Sequence, residues 1–279
     1  MVINTNSAAT ITANALNRNE RAMGQAMERL STGIRINSAS DDAAGLAIAS
    51  KMTSQINGLN QAVRNTNDAI SMVQTADGAM IEVTEMLQRM RELAVQGATG
   101  TNASSDVLAL ETEFEALRDE IGRVVQNTQW NGTNLLDGDV TGTTNDAEID
   151  FQVGANASQT ISVDFGDFEF GVDWTTLTST LDMDNATEAT ANITAISSAI
   201  TVVNTQRATF GAAMNRLEYA ADNLANISQN TTASRSRILD ANYASETTEL
   251  ARTQIIQQAA TAMLAQANQQ PRTVLALLK

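Results

Sequence analysis

Residues 42–95, DAAGLAIASKMTSQINGLNQAVRNTNDAISMVQTADGAMIEVTEMLQRMRELAV, hold a seven-residue apolar repeat and no proline. Met52, Leu59, Val73, Met80 and Leu87 recur seven or fourteen apart, Thr66 fills the missed slot, and Ala94 continues the row. Ile56, Val63 and Ile70 run beside it; after Asp77 this second row resumes one residue early with Val83 and Met90. Two apolar rows at this spacing make a narrow seam along an α-helix that packs lengthwise on other helices. At ~1.5 Å per residue the helix is roughly 80 Å long, too long for the core of one compact domain. The shift at Asp77 lets the seam follow a straighter helix or change partner. One long helix of an ordinary bundle is the plainer alternative on the repeat alone.

Upstream, Ala9, Leu16, Met23 and Leu30 are seven apart, with Met27 and Ile34 on an adjoining row, which predicts a helix over residues 5–32. Gly33 stands where a left-handed helix end is wanted. Asn37-Ser-Ala-Ser-Asp-Asp supplies turn formers, and Asp41 and Asp42 read as caps and dipole partners of the long helix rather than metal ligands. Downstream, Gly97-Ala-Thr-Gly-Thr-Asn breaks the pattern, and Ser104 or Ser105 is expected to cap a third helix carrying Val107, Leu110, Phe114, Leu117, Ile121 and Val124. After so short a loop it should fold back antiparallel. Gln129-Trp-Asn-Gly and Asp137-Gly-Asp end the helical half.

From Glu148 the period changes to two. Ile149, Phe151 and Val153, then Ile161, Val163 and Phe165, flank Gly154-Ala-Asn-Ala-Ser and predict a β-hairpin, with room for an extra strand to Phe170. Trp130 and Trp174 fit a small aromatic cluster beneath it. Helical spacing returns at Ile193, Ile196, Ile200, Val203, Phe210, Met214 and Leu217 and continues through Leu224 and Ile227. Ser234 to Asp240 is a polar passage. Beyond it Ile256, Met263 and Leu277 share one seven-residue row and Ala260, Ala267 and Val274 its neighbour. Pro271, the chain's only proline, should kink or interrupt the last turns.

The 279 residues are 43% hydrophobic but only 4% aromatic, which favours helix-on-helix packing over one bulky core. Neither Cys nor His is present, so thiol chemistry, most zinc sites and the commonest general base are excluded. Ser, Thr and carboxylates abound, but no motif gathers them, so neither an enzyme nor a cofactor is expected. Residues 43–236 carry 25 acids against nine bases and hold the whole of the −15 charge. Such a field repels nucleic acid and anionic lipid, which excludes both as partners. Near-neutral ends suit surfaces that become buried; an acidic middle suits one left in solvent, although solubility alone accounts for it equally well. Met1-Val-Ile-Asn-Thr-Asn has neither a basic n-region nor an apolar h-region, and no run reaches the ~18–20 apolar residues of a membrane helix.

An apolar seam at each end, with no membrane segment, has to be buried against the other end or against further copies. The candidate seam residues are Leu16, Met23 and Leu30 at one end and Ile256, Met263, Val274 and Leu277 at the other. Paired ends that stack on the next subunit by heterologous contact give a helical polymer rather than a closed ring.

Several blocks closely resemble bacterial flagellin. They are Val2-Ile-Asn-Thr-Asn, Glu28-Arg-Leu-Ser-Thr-Gly-Ile-Arg-Ile-Asn-Ser-Ala, Asp41-Asp-Ala-Ala-Gly-Leu-Ala-Ile-Ala and Leu87-Gln-Arg-Met-Arg-Glu-Leu-Ala-Val-Gln in the first half. Phe151-Gln-Val-Gly-Ala-Asn, Ser234-Arg-Ser-Arg-Ile-Leu-Asp-Ala-Asn-Tyr-Ala, Gln254-Ile-Ile-Gln-Gln-Ala and Leu264-Ala-Gln-Ala-Asn-Gln-Gln-Pro follow. The resemblance implies a mainly α fold, a coiled-coil-like helical rod built from both chain halves with a small β-hairpin insert, in two radial layers without outer domains. It implies that residues 1–42 and 237–279 are the two parts of an inner coiled-coil domain. Residues 43–140 and 185–236 would be the rod helices, and 141–184 its hairpin and loop part. It further implies an extracellular flagellar filament for swimming, with the chain itself as main partner. Export is expected unfolded, through the flagellar type III apparatus. The filament cap, the hook-junction proteins and an export chaperone at the C-terminal segment are the implied further partners. In flagellins sensed by the host Toll-like flagellin receptor, an arginine, a leucine and a glutamate form the contact centre; the matching positions here are Arg89, Leu93 and Glu113. The rival readings are the hook–filament junction protein, similar at both ends, and a chemoreceptor signalling rod, which would lack the β-rich interruption.

Overall fold

The computed structural model describes residues 6–138, 147–168 and 186–277. Among them five helices follow in chain order: α1 (Ser7–Thr32), α2 (Ala43–Gly97), α3 (Ser104–Asn127), α4 (Ala186–Leu239) and α5 (Tyr243–Leu277). Two antiparallel pairs lie between α3 and α4, β1 (Gln129–Trp130) with β2 (Thr133–Asn134) and β3 (Glu148–Gln152) with β4 (Thr160–Asp164). The chain divides into two compact units, one bounded at Ile56 and Gln229 and containing both terminal helices, the other Asn57–Ser228. Helices α2 and α4 contribute residues to both.

In the terminal unit α1 lies against α5. Asn6 contacts Ala267, Asn19 contacts Thr253 and Arg29 contacts Glu246, so the two helices run antiparallel. Asn6 caps α1 by accepting the Ala9 N–H at 3.1 Å. Gly33 ends it at φ 73°, a left-handed turn in which a Cβ would be strained, and donates its N–H to Arg29 O at 2.9 Å. Ile34 then bridges Asp240; Arg35 donates its N–H to Leu239 O at 2.6 Å, and Ala241 donates to Gly33 O at 3.0 Å. Of the two aspartates only Asp42 caps α2 as expected, while Asp41 ties together the loop before it. Asp42 accepts the Gly45 N–H at 2.9 Å, and Asp41 accepts the Asn37 and Ser38 N–H groups at 3.1 and 2.9 Å.

The second unit is organised by α2. Of the predicted row, Leu59, Thr66, Val73, Met80, Leu87 and Ala94 are buried and Met52 at its start is half-buried. Thr66 is tolerated there because its hydroxyl donates to Ala62 O at 2.7 Å, leaving no unsatisfied donor in the seam. The shift at Asp77 has a local cause: this half-buried carboxylate accepts from Arg207 of α4 at 2.9 Å, and Ala76 takes the apolar slot beside it. From α3 come Phe114, Ile121 and Val125, and from α4 Ile196, Val203, Phe210 and Leu217, which complete one core. The β3–β4 hairpin covers part of it with Val163 and Phe165; the Phe165 ring meets Phe210 at 5.6 Å between centroids.

Two local expectations need correction. Helix α3 starts after Ala103, not on a serine cap: the Asp106 carboxylate one turn in accepts the Ala103 N–H at 3.2 Å and does the capping from inside the helix. The polar Ser234–Leu239 passage forms the end of α4, with Arg235 donating to Thr53 of α2, since elongating a formed helix needs only one more bond per residue. Helix α5 is not interrupted at Pro271 and runs on to Leu277. The helical half ends as expected, α3 stopping at Asn127, and Asn131-Gly132 forms a two-residue hairpin turn with φ 50° and 84° joining β1 to β2. Phe168 is buried and donates its N–H to Leu136 O, while Phe170 and Trp174 lie outside the described residues.

Candidate assembly surface and receptor-contact site

The α1–α5 pair buries little. Only Asn19 and Ala26 of α1 are fully buried, with Leu16, Met23 and Leu30 half-buried around them. On α5 the inward row is Glu246, Thr253, Ala260 and Ala267, with Leu250, Gln257 and Leu264 beside it. Large apolar side chains are left facing out: Ile255 is 67% exposed, Ile256 39% and Met263 63%, and Ile11 and Met27 of α1 are likewise exposed. So the alanine row of α5 faces α1, while the isoleucine and methionine row faces away. Val274 and Leu277 lie on α5, but their side chains are outside the described residues. Burying each such aliphatic side chain is worth about 1.5–3 kcal/mol, so this outer face is a candidate surface for association.

The polar contacts within the pair were not singled out in the sequence. Asn19 Nδ2 donates to Thr253 O at 2.7 Å in a buried site, and Asn6 Nδ2 donates to Ala267 O at 2.9 Å. Arg29 Nη1 meets Glu246 Oε1 at 3.4 Å. Asn19 and Ala26 are seven apart between the flagged apolar rows, and that interval was the available signal.

In the second unit the loop at residues 98–103 returns the chain along α2, so that Glu113 of α3 reaches Arg89. Arg89 Nε donates to Glu113 Oε1 at 2.9 Å, and Nη1 donates to Glu92 Oε2 at 3.0 Å. The hydrogen bond to Glu113, then that to Glu92, raises the Arg89 pKa above its ordinary value, so it remains a fixed cation. Arg89 and Glu113 are solvent-facing. Leu93 is 1% exposed and belongs to the core with Phe114. The structure thus places two of the three residues on one surface and the third beneath it. Val95, which is exposed, lines an open groove with Gln88, Arg91, Glu92 and Ile200 next to this pair.

Residues 3–141 match the bacterial flagellin N-terminal helical region and residues 193–278 the bacterial flagellin C-terminal helical region. The chain is 46% identical over 279 residues to a flagellin of Halalkalibacterium halodurans, covering all of both chains. The chain belongs to the bacterial flagellin family. It is also 44% identical over 304 residues to a Bacillus subtilis flagellin, again covering both completely. The crystal structure of Bacillus cereus flagellin is similar at 34% identity and a TM-score of 0.50, covering 58% of this chain and 88% of that one. Flagellin is a structural protein, the filament subunit of the bacterial flagellum. As a flagellin this chain is mainly α, with small two-stranded sheets and, among the described residues, no outer domain between α3 and α4. No helix among the described residues is long and apolar enough to cross a membrane.

Proposed function

We propose that the chain polymerises through its terminal helices into a flagellar filament, with residues 1–42 and 237–279 forming the inner layer and 43–236 the outer one. The observation that carries this reading is the outward row of Ile255, Ile256 and Met263, which the α1–α5 pair leaves uncovered. Neighbouring copies supply the missing cover. The chain leaves the cell unfolded through the flagellar type III apparatus with a chaperone on its C-terminal segment, and it adds at the tip between the cap and the hook-junction proteins. Full-length similarity to flagellins favours this over a junction protein. Seeded elongation tests it: purified chain added to sheared filament ends should elongate, and Ile256→Asp with Met263→Asp should stop growth while residues 57–228 keep their helical signal. Wild-type chain that never elongates overturns the proposal.

The free subunit is recognised by the host Toll-like flagellin receptor through Arg89 and Glu113, with Leu93 supporting them from below. Support comes from the matching residue types and from the exposed, mutually bonded pair. Receptor-bearing reporter cells that stay silent at concentrations where a known agonist saturates would rule this out.

A further inference from the structure

The α1–α5 seam has a register problem. The central row of its α5 side, Thr253, Ala260 and Ala267, offers small groups every seven residues, and the flanking Leu250, Gln257 and Leu264 differ at one position, so the apolar rows alone fix the register weakly. A slip of one heptad displaces one helix against the other by about 10 Å. It offsets the outward Ile11 and Met27 of α1 from Ile255, Ile256 and Met263 of α5, the surfaces that neighbours must read together.

One group in the seam is not repeated. In an α-helix the carbonyl of residue 267 accepts from the N–H of residue 271, but residue 271 is the chain's only proline and has no N–H to give. At that carbonyl Asn6 of α1 arrives, its Nδ2 donating to Ala267 O at 2.9 Å, while its Oδ1 caps α1 through the Ala9 N–H. The same amide therefore caps one helix and replaces the missing donor of the other. This also accounts for the passage of α5 through Pro271 to Leu277. In a pair slipped by one heptad towards the start of α5, Asn6 would face the carbonyl of Ala260, whose acceptor role is served by the N–H of Leu264. The slip would also move Arg29 off Glu246 and Asn19 off Thr253.

We infer that Asn6, reading the carbonyl that Pro271 leaves open, is the positioning residue that fixes the register of the terminal helices for filament assembly. The inference rests on the filament reading above. Asn6→Asp keeps the cap acceptor and removes the donor; Pro271→Ala restores the backbone N–H and makes Ala267 equivalent to its neighbours. With spin labels on cysteines introduced at the exposed Asn17 and Thr248, in filaments where labelled chains are sparse among unlabelled ones, the wild type should give one distance. Asn6→Asp should add a second population displaced by about one heptad and slow elongation on seeds several-fold. Added to the Pro271→Ala chain, Asn6→Asp should change neither readout further. A single distance and wild-type elongation for Asn6→Asp, or an equal effect of that substitution in both backgrounds, would overturn the inference and leave the filament reading standing. A wild-type chain that does not elongate removes both.

Discussion

At the scale of single residues, the fold assigns different work to side chains that look alike in sequence. Leu93 sits within one turn of Arg89 yet is sealed in the core, so Leu93→Ala should lower stability by about 2–5 kcal/mol in a denaturant titration. Arg89→Ala removes only the solvent-facing ion pairs with Glu113 and Glu92 and should leave the same titration nearly unchanged. If receptor signalling depends on Leu93 only through packing, its loss in Leu93→Ala should follow the folded fraction. Asp41 has a pH consequence. Hydrogen bonds from the Ser38 N–H and the Ser38 hydroxyl, then from the Asn37 N–H, hold its pKa below the ordinary carboxylate value, with the charge of Arg29 acting in the same direction. Its contribution is therefore complete above the ordinary carboxylate pKa and is lost as pH falls through the lowered folded value. The Asn37 and Ser38 amide shifts in NMR should titrate together, with a midpoint below that of ordinary aspartates, and Asp41→Asn should abolish that titration.

Among elements, the hairpin and α2 are fitted to each other at Gly58. A Cβ placed there would lie 3.0 Å from the Cβ of Ala155 in the hairpin turn, and Asn65 Nδ2 donates to Gln152 O at 3.2 Å nearby. Gly58→Val should push the turn off α2 and cost about 1–3 kcal/mol, as overpacking does. Amide exchange should then quicken at Ala155–Gln159 and not in the α2 core around Met80. The turn lies in a small satellite cluster with Leu59, Ala62 and Leu224, separate from the main core, so the effect should be local. The Asp77–Arg207 contact plays a different part, joining α2 to α4 where the apolar row changes step.

For the whole molecule, the thinly covered α1–α5 pair and the well-filled core of Asn57–Ser228 predict unequal stability. In free subunit, amides of α1 and α5 should exchange fast and those around Met80 and Phe210 slowly; in filament both sets should be protected. Equal protection of the terminal helices in subunit and filament would contradict this. The sequence by itself determined the helices, their seven-residue rows, the Gly33 stop and the β3–β4 hairpin, because periodicity and backbone chemistry are local properties that neighbouring residues already fix. It also supplied the residue types of the proposed receptor trio and of the proposed terminal seam. Only the tertiary structure decided which row of α5 turns inward, that Leu93 lies under Arg89 rather than beside it, and that Asn6 meets Ala267. Each of those depends on how two helices distant in the chain rotate and slide against each other, and a row repeating every seven residues leaves both rotation and slide open until a group without an equivalent, such as the carbonyl opposite Pro271, selects one.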